Sequence, residues 1–154
     1  MTELVTQQSD RDCYICCVAM AANVSHAYIR GRLTHEELAE MDLHGTSGPL
    51  LDKIMKIAGF TRDQDFKSVH PSFLLIADYR QEKYRELRSL LWGRRAIIQV
   101  PSLNLEGEMH VVYWDGSALF DPSTKLRYER WEDVPLNNYI TIFNEVAGWT
   151  HCSL

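Results

Sequence analysis

A cysteine at the point where a polar stretch gives way to an apolar one is placed for nucleophilic chemistry. The run Gln7-Gln8-Ser9-Asp10-Arg11-Asp12 is polar, and from Cys13 to about Val24 no charged residue occurs. That switch predicts a loop feeding a buried helix, because a helix that is apolar all round must lie inside a core. A thiol at the junction meets the positive end of the helix dipole and the unpaired N–H groups of the first turn, both of which favour an anion there.

Covalent catalysis by such a thiol needs a base, a group that orients the base, and donors for the oxyanion. His110 opens an extended run, and Asp121 lies just beyond the next one, Ala118-Leu119-Phe120. Between them Trp114-Asp115-Gly116-Ser117 carries an Asp-Gly step, a strong hairpin-turn signal. In an antiparallel pair joined by a short turn, His110 and Asp121 meet at the same open end. The expected geometry has Asp121 accepting the Nδ1–H of His110, with Nε2 turned toward Cys13, in the chain order Cys, His, Asp. Gln7, six positions before Cys13, offers its side-chain amide beside the Cys13 N–H as a second oxyanion donor, with Gln8 the alternative.

The elements that must hold these groups divide into two halves. Thr34-His35-Glu36-Glu37 is a capping-box pattern that starts a short second helix. Ser47-Gly48-Pro49 starts a third, in which Leu50, Leu51, Ile54, Met55 and Ile57 recur at helical spacing until Gly59. Residues 61–77 give no clear period. Tyr79 to Trp92 reads as an amphipathic helix with a basic face, ended by Gly93, and that face is expected to be solvated. Thereafter Ala96–Val100, His110–Trp114, Ala118–Phe120 and Tyr139–Phe143 are short β-branched or aromatic runs. Helices followed by consecutive antiparallel strands predict an α+β fold, a helical N-terminal half packed on a sheet from the C-terminal half.

The 154 residues suit a single domain spanning 1–154, since no repeat, low-complexity tract or linker interrupts them. The first residues lack the basic and apolar regions of a secretory signal, and no run approaches a membrane span, so a cytoplasmic location without membrane contact is expected. In a reducing compartment the four cysteines are expected as free thiols. A net charge of −5 gives no general attraction to phosphate backbones, which argues against nucleic acid as a partner.

The stretch from Gln7 to Cys13, the Asp12-Cys13 step, Cys17, and Ala19-Met20 resemble the papain-like cysteine peptidases that process double-glycine leader peptides of bacteriocins. His110-Val111-Val112 and Asp121-Pro122 look like that family's His-strand and Asp-Pro, and the helix ending in Ala58-Gly59-Phe60 is similar as well. The resemblance implies a papain-like fold, here as a stand-alone domain. It implies Cys13 as nucleophile, His110 as general base, Asp121 as orienting group, Gln7 as oxyanion donor and a structural Cys17. Tyr14 stands where the family has Gly, and ubiquitin-specific proteases similarly place Tyr after their cysteine.

The function expected is therefore hydrolysis of an amide bond in a peptide or protein substrate through an acyl-thioenzyme, with no cofactor. The alternatives are a catalytically silent binding module of the same fold, an inhibitor or adaptor of another protein, and a zinc-stabilised interaction domain. A zinc site would draw on Cys13, Cys16 or Cys17 with His26, or with His151 and Cys152, but no second close pair completes the Cys13-Tyr14-Ile15-Cys16 spacing. His26, His35, His44 and His70 show no partner pattern and are expected at the surface or in turns.

Overall fold

The computed structural model describes residues 3–9, 11–69, 88–89, 91–101, 108–123, 126–129 and 141–145. Its architecture is α+β. Five helices come first, α1 (Cys13–Ala22), α2 (His26–Arg30), α3 (His35–His44), α4 (Gly48–Ile57) and α5 (Arg62–Asp65). Six strands follow, β1 (Phe66–Val69), β2 (Ala96–Pro101), β3 (Met109–Trp114), β4 (Leu119–Asp121), β5 (Leu126–Tyr128) and β6 (Thr141–Glu145). They form one sheet in the order β1-β6-β2-β3-β4-β5, antiparallel throughout.

Helix α1 is the spine that its composition predicts. Ile15, Cys16, Cys17, Val18 and Ala19 are all but fully buried, and the cluster around them includes Val111 and Tyr113 of β3, Ile97 of β2 and Phe120 of β4. The helix stops at Asn23, whose left-handed backbone (φ 56°) lets its N–H reach back to Ala19 and Met20. This is two residues earlier than the apolar run ends.

Local capping chemistry sets the other helix starts. The Thr34 hydroxyl accepts from the Glu37 N–H at 3.1 Å, and the Glu37 carboxylate accepts from the Thr34 N–H at 2.8 Å, completing the box. Ser47 caps α4 by accepting from Leu50 N–H at 3.3 Å. Ser25 caps α2, a helix too short to show a period in the sequence.

Between β3 and β4 the Asp-Gly turn forms as expected. The Asp115 carboxylate accepts from the N–H groups of Ser117 (2.8 Å) and Ala118 (2.9 Å), and Gly116 takes φ +102°. A side chain at Gly116 would also collide with the backbone of Gly93, whose N–H donates to the Gly116 carbonyl at 2.9 Å. The two turns are thus locked together, which fixes the end of the hairpin remote from His110.

Strands β1 and β5, at the two edges of the sheet, are additions to the sequence reading. The expected strand at Tyr139–Phe143 is observed as β6, and its first two positions lie outside the described residues. So do Phe73–Ile76 and most of the Tyr79–Trp92 helix, of which Arg88, Ser89 and Leu91 are helical. Among the described residues no helix is long and apolar enough to cross a membrane.

Candidate active site

The register of β3 with β4 pairs Tyr113 with Phe120 and so runs Asp121 toward Val112, diagonal to His110. The two side chains meet there, with His110 Nε2 2.9 Å from Asp121 Oδ1. An ionised carboxylate only accepts, so Nε2 carries the proton in this contact. The expected orientation of the ring is therefore reversed. Nε2, the nitrogen expected to face Cys13, is the one on Asp121, an orientation set by the side-chain torsions of His110. Cys13 lies near enough to the ring to raise its proton affinity, and Nδ1 is the nitrogen that Asp121 leaves to it.

Asp121 is 3% exposed and is held by more than the histidine. The Ser123 N–H and Ser123 hydroxyl each donate to Asp121 Oδ1 at 2.9 Å, and the hydroxyl lies 3.4 Å from His110 Nε2. Asp121-Pro122-Ser123 is thus an Asx turn that clamps the carboxylate before it meets the ring. Ser123 was legible as a turn residue but not as a site residue. The Pro122 carbonyl accepts from the Gln7 N–H at 3.1 Å, which docks the N-terminal loop directly on this turn.

These contacts decide the charge on the imidazole. Burial alone would push His110 down. Its hydrogen bond to Asp121, the nearby Cys13 sulfur and the Asp121 charge outweigh burial and raise it from 6.5 to about 9. Asp121 shows the opposite balance, burial raising its carboxyl but the His110 and Ser123 contacts holding it below the usual carboxylate range. A proton-detected titration of the His110 ring should therefore show a midpoint near 9. In Cys13→Ala the midpoint should fall, because the sulfur that favours the protonated ring is lost. An unchanged midpoint would mean that the ring and thiol do not interact.

The three described cysteines are free thiols, and they are not equivalent. Cys13 retains 5% exposure, while Cys16 and Cys17 have none. Burial pushes the Cys16 thiol far up, with the Asp12 and Cys13 charges adding to it. Cys17 is raised in the same way, by burial first and then by Cys13, Cys16 and Asp121. Both are neutral, inert core thiols.

Gln7 and Asp12 hold the loop before the helix. The Gln7 Nε2 amide donates one N–H to the Ser9 carbonyl at 2.9 Å, so only its second N–H is left for an oxyanion. Asp12 is fully buried, and its carboxylate accepts from the N–H groups of Gln8 (2.9 Å) and Ser9 (3.3 Å). The alternative donor Gln8 is thus tied to Asp12 by its backbone, and its side chain is exposed. Arg11 joins the loop to its surroundings, donating to the Asp42 carbonyl at 2.7 Å and to Glu108 at 3.1 Å.

His26 is a correction. Expected at the surface, it is buried at the first position of α2, with Nε2 2.7 Å from Asp12 Oδ2. Its partner comes from the way α2 folds back on α1, which no local spacing reports. Asp12, Cys16 and His26 each bring a potential ligand atom within 4.8 Å of the others. The Asp12 carboxylate already accepts three hydrogen bonds there, and burial keeps the Cys16 thiol protonated. In this structure those three donors form a hydrogen-bonded polar cluster around Asp12. His70, His151 and Cys152 lie outside the described residues.

Tyr14 packs inward. Its side chain is buried, and its hydroxyl donates to Gln99 Oε1 on β2. No family model, curated protein or solved structure matches this chain.

Proposed function

We propose that this chain is a cysteine hydrolase of the papain-like type, cleaving an amide bond in a peptide or protein substrate through an acyl-thioenzyme at Cys13. The observation that carries the proposal is the His110–Asp121 pair at the open end of a hairpin, with Cys13 at the start of the helix packed on that hairpin. A Cys helix packed on an antiparallel sheet that supplies His and then Asp is also the arrangement expected of the leader-processing peptidases that the motifs resemble.

The chemistry follows from the charges. The Cys13 thiolate adds to the carbonyl carbon, and the oxyanion accepts from the Cys13 N–H and the second Gln7 amide N–H. His110, as imidazolium, gives its Nδ1 proton to the departing amine as the C–N bond breaks, leaving a thioester and a neutral ring. The ring then takes a proton from water as it attacks the thioester, and the thiolate is expelled with the acid product. Asp121, locked by Ser123, holds the ring through both half-reactions and stabilises its charged form.

The test is to trap the intermediate. With p-nitrophenyl acetate near pH 7, peptide mass spectrometry should locate an acetyl group on Cys13, released slowly as acetate. Acetylation confined to lysines, or none, would contradict the proposal. The low exposure of Cys13 is the observation that favours the second reading, a silent binding module, for which the adduct would be absent although the fold is intact.

A further inference from the structure

We infer that His26 is a positioning residue for the nucleophile, holding the Asp12 carboxylate off the N-terminus of α1 and onto the loop that carries Gln7. The inference rests on the cysteine-hydrolase reading of Cys13. An aspartate directly before a helix ordinarily turns its carboxylate onto the N–H groups of the first turn. Ser25, Thr34 and Ser47 behave in this way, each with extended backbone and each accepting from the N–H three residues on. Asp12 has φ −103° and ψ 19° and makes no such bond.

Its carboxylate points backward instead. Gln8 and Ser9 donate their backbone N–H groups to it, and His26 Nε2, from α2, donates at 2.7 Å on Oδ2. Burial opposes a charge at this place, but the His26 hydrogen bond and the two backbone N–H groups keep the carboxyl ionised below its usual range. The arrangement has two consequences for the reaction. It keeps a carboxylate off the first turn of α1, so that its negative charge does not compete with the oxyanion for the positive end of the helix. It also fixes residues 8 and 9, and with them the Ser9 carbonyl that aims the Gln7 amide. Without His26, Oδ2 loses its side-chain donor, and the uncapped N–H groups of the first turn of α1 compete for the carboxylate.

Two reagents separate this role from simple support of the fold. Acetylation by p-nitrophenyl acetate passes through an oxyanion, whereas alkylation by iodoacetamide is a direct displacement that needs only the thiolate. In the full chain, His26→Leu should slow acetylation of Cys13 by about 10²-fold, the scale of a lost oxyanion donor, and change alkylation by less than about threefold. His26→Gln, which keeps an N–H donor for Asp12, should recover most of the acetylation rate. Equal losses with both reagents, or no loss of acetylation, would overturn the inference, as would zinc bound at one equivalent in the purified protein and lost in His26→Gln.

Should His26→Leu not fold, Asp12→Asn carries the same test. Amide exchange at Gln8 and Ser9 should accelerate and acetylation fall with alkylation retained, and unchanged protection would overturn the inference. If Cys13 of the unsubstituted protein reacts selectively with neither reagent, the hydrolase reading itself fails and takes this inference with it. If it does react and His26→Leu behaves like the unsubstituted protein, only the role of His26 fails.

Discussion

His110→Ala lowers the rate of Cys13 acylation by about 10³-fold, the middle of the range for losing a positioned general acid–base group. Two effects combine in that loss. The thiol loses the cation that favours its ionised form, and the departing group loses its proton donor. Because the ring is held at about 9, the unsubstituted protein should keep its imidazolium through neutral pH and lose rate as pH rises through that value. The alkaline fall should be missing in His110→Ala. Stopped-flow acylation from pH 5 to 10 measures both, and a residual rate within about tenfold of the parent would show that the ring takes no part in the chemistry.

The same shift has a stability counterpart whose sign is fixed. The folded protein binds the His110 proton more tightly than the unfolded chain, whose value is the ordinary 6.5. The contribution is therefore present in full below pH 6.5 and is lost as pH climbs through about 9.

Asp12→Ala has the largest expected effect on stability, a loss of about 3 kcal/mol, because removing a buried carboxylate leaves its hydrogen-bond donors without an acceptor. His26 and the Gln8 and Ser9 N–H groups would all lose their acceptor. For a chain of this size the loss corresponds to a fall in Tm of roughly 10 °C. The carboxyl is held below its ordinary 3.8 in the folded state, so its contribution is present above that pH and disappears on acidification through the folded value. Thermal unfolding of the two proteins should therefore differ at pH 7 and converge toward pH 2. A difference under about 1 kcal/mol at pH 7 would mean that the buried cluster contributes no more than a surface pair.

Much of the placement of these candidate residues was legible in the sequence. Cys13 declared itself because the change from polar to apolar residues marks a helix start directly. His110 and Asp121 could be brought together because an Asp-Gly hairpin makes register a matter of counting. The orientation of the ring could not, since which nitrogen faces a carboxylate depends on a side-chain torsion that leaves no trace in spacing. His26 was missed for a different reason. Asp12 and His26 are fourteen residues apart, and their contact depends on how two helices pack around a turn. Strands β1 and β5 were missed because edge strands are short and carry charge, here Lys67 and Arg127, which blurs the alternation that reveals inner strands. Ser123 could have been found, since Asp-Pro-Ser is an Asx-turn sequence.

The central claim, that Cys13 is a nucleophile activated by His110, is tested most directly by alkylation with iodoacetamide near pH 6 followed by peptide mapping. The account predicts rapid labelling of Cys13 alone, with Cys16 and Cys17 untouched in the folded protein, and loss of that rapid labelling in His110→Ala. Slow and equal labelling of Cys13, Cys16 and Cys17, unaltered by His110→Ala, would contradict it.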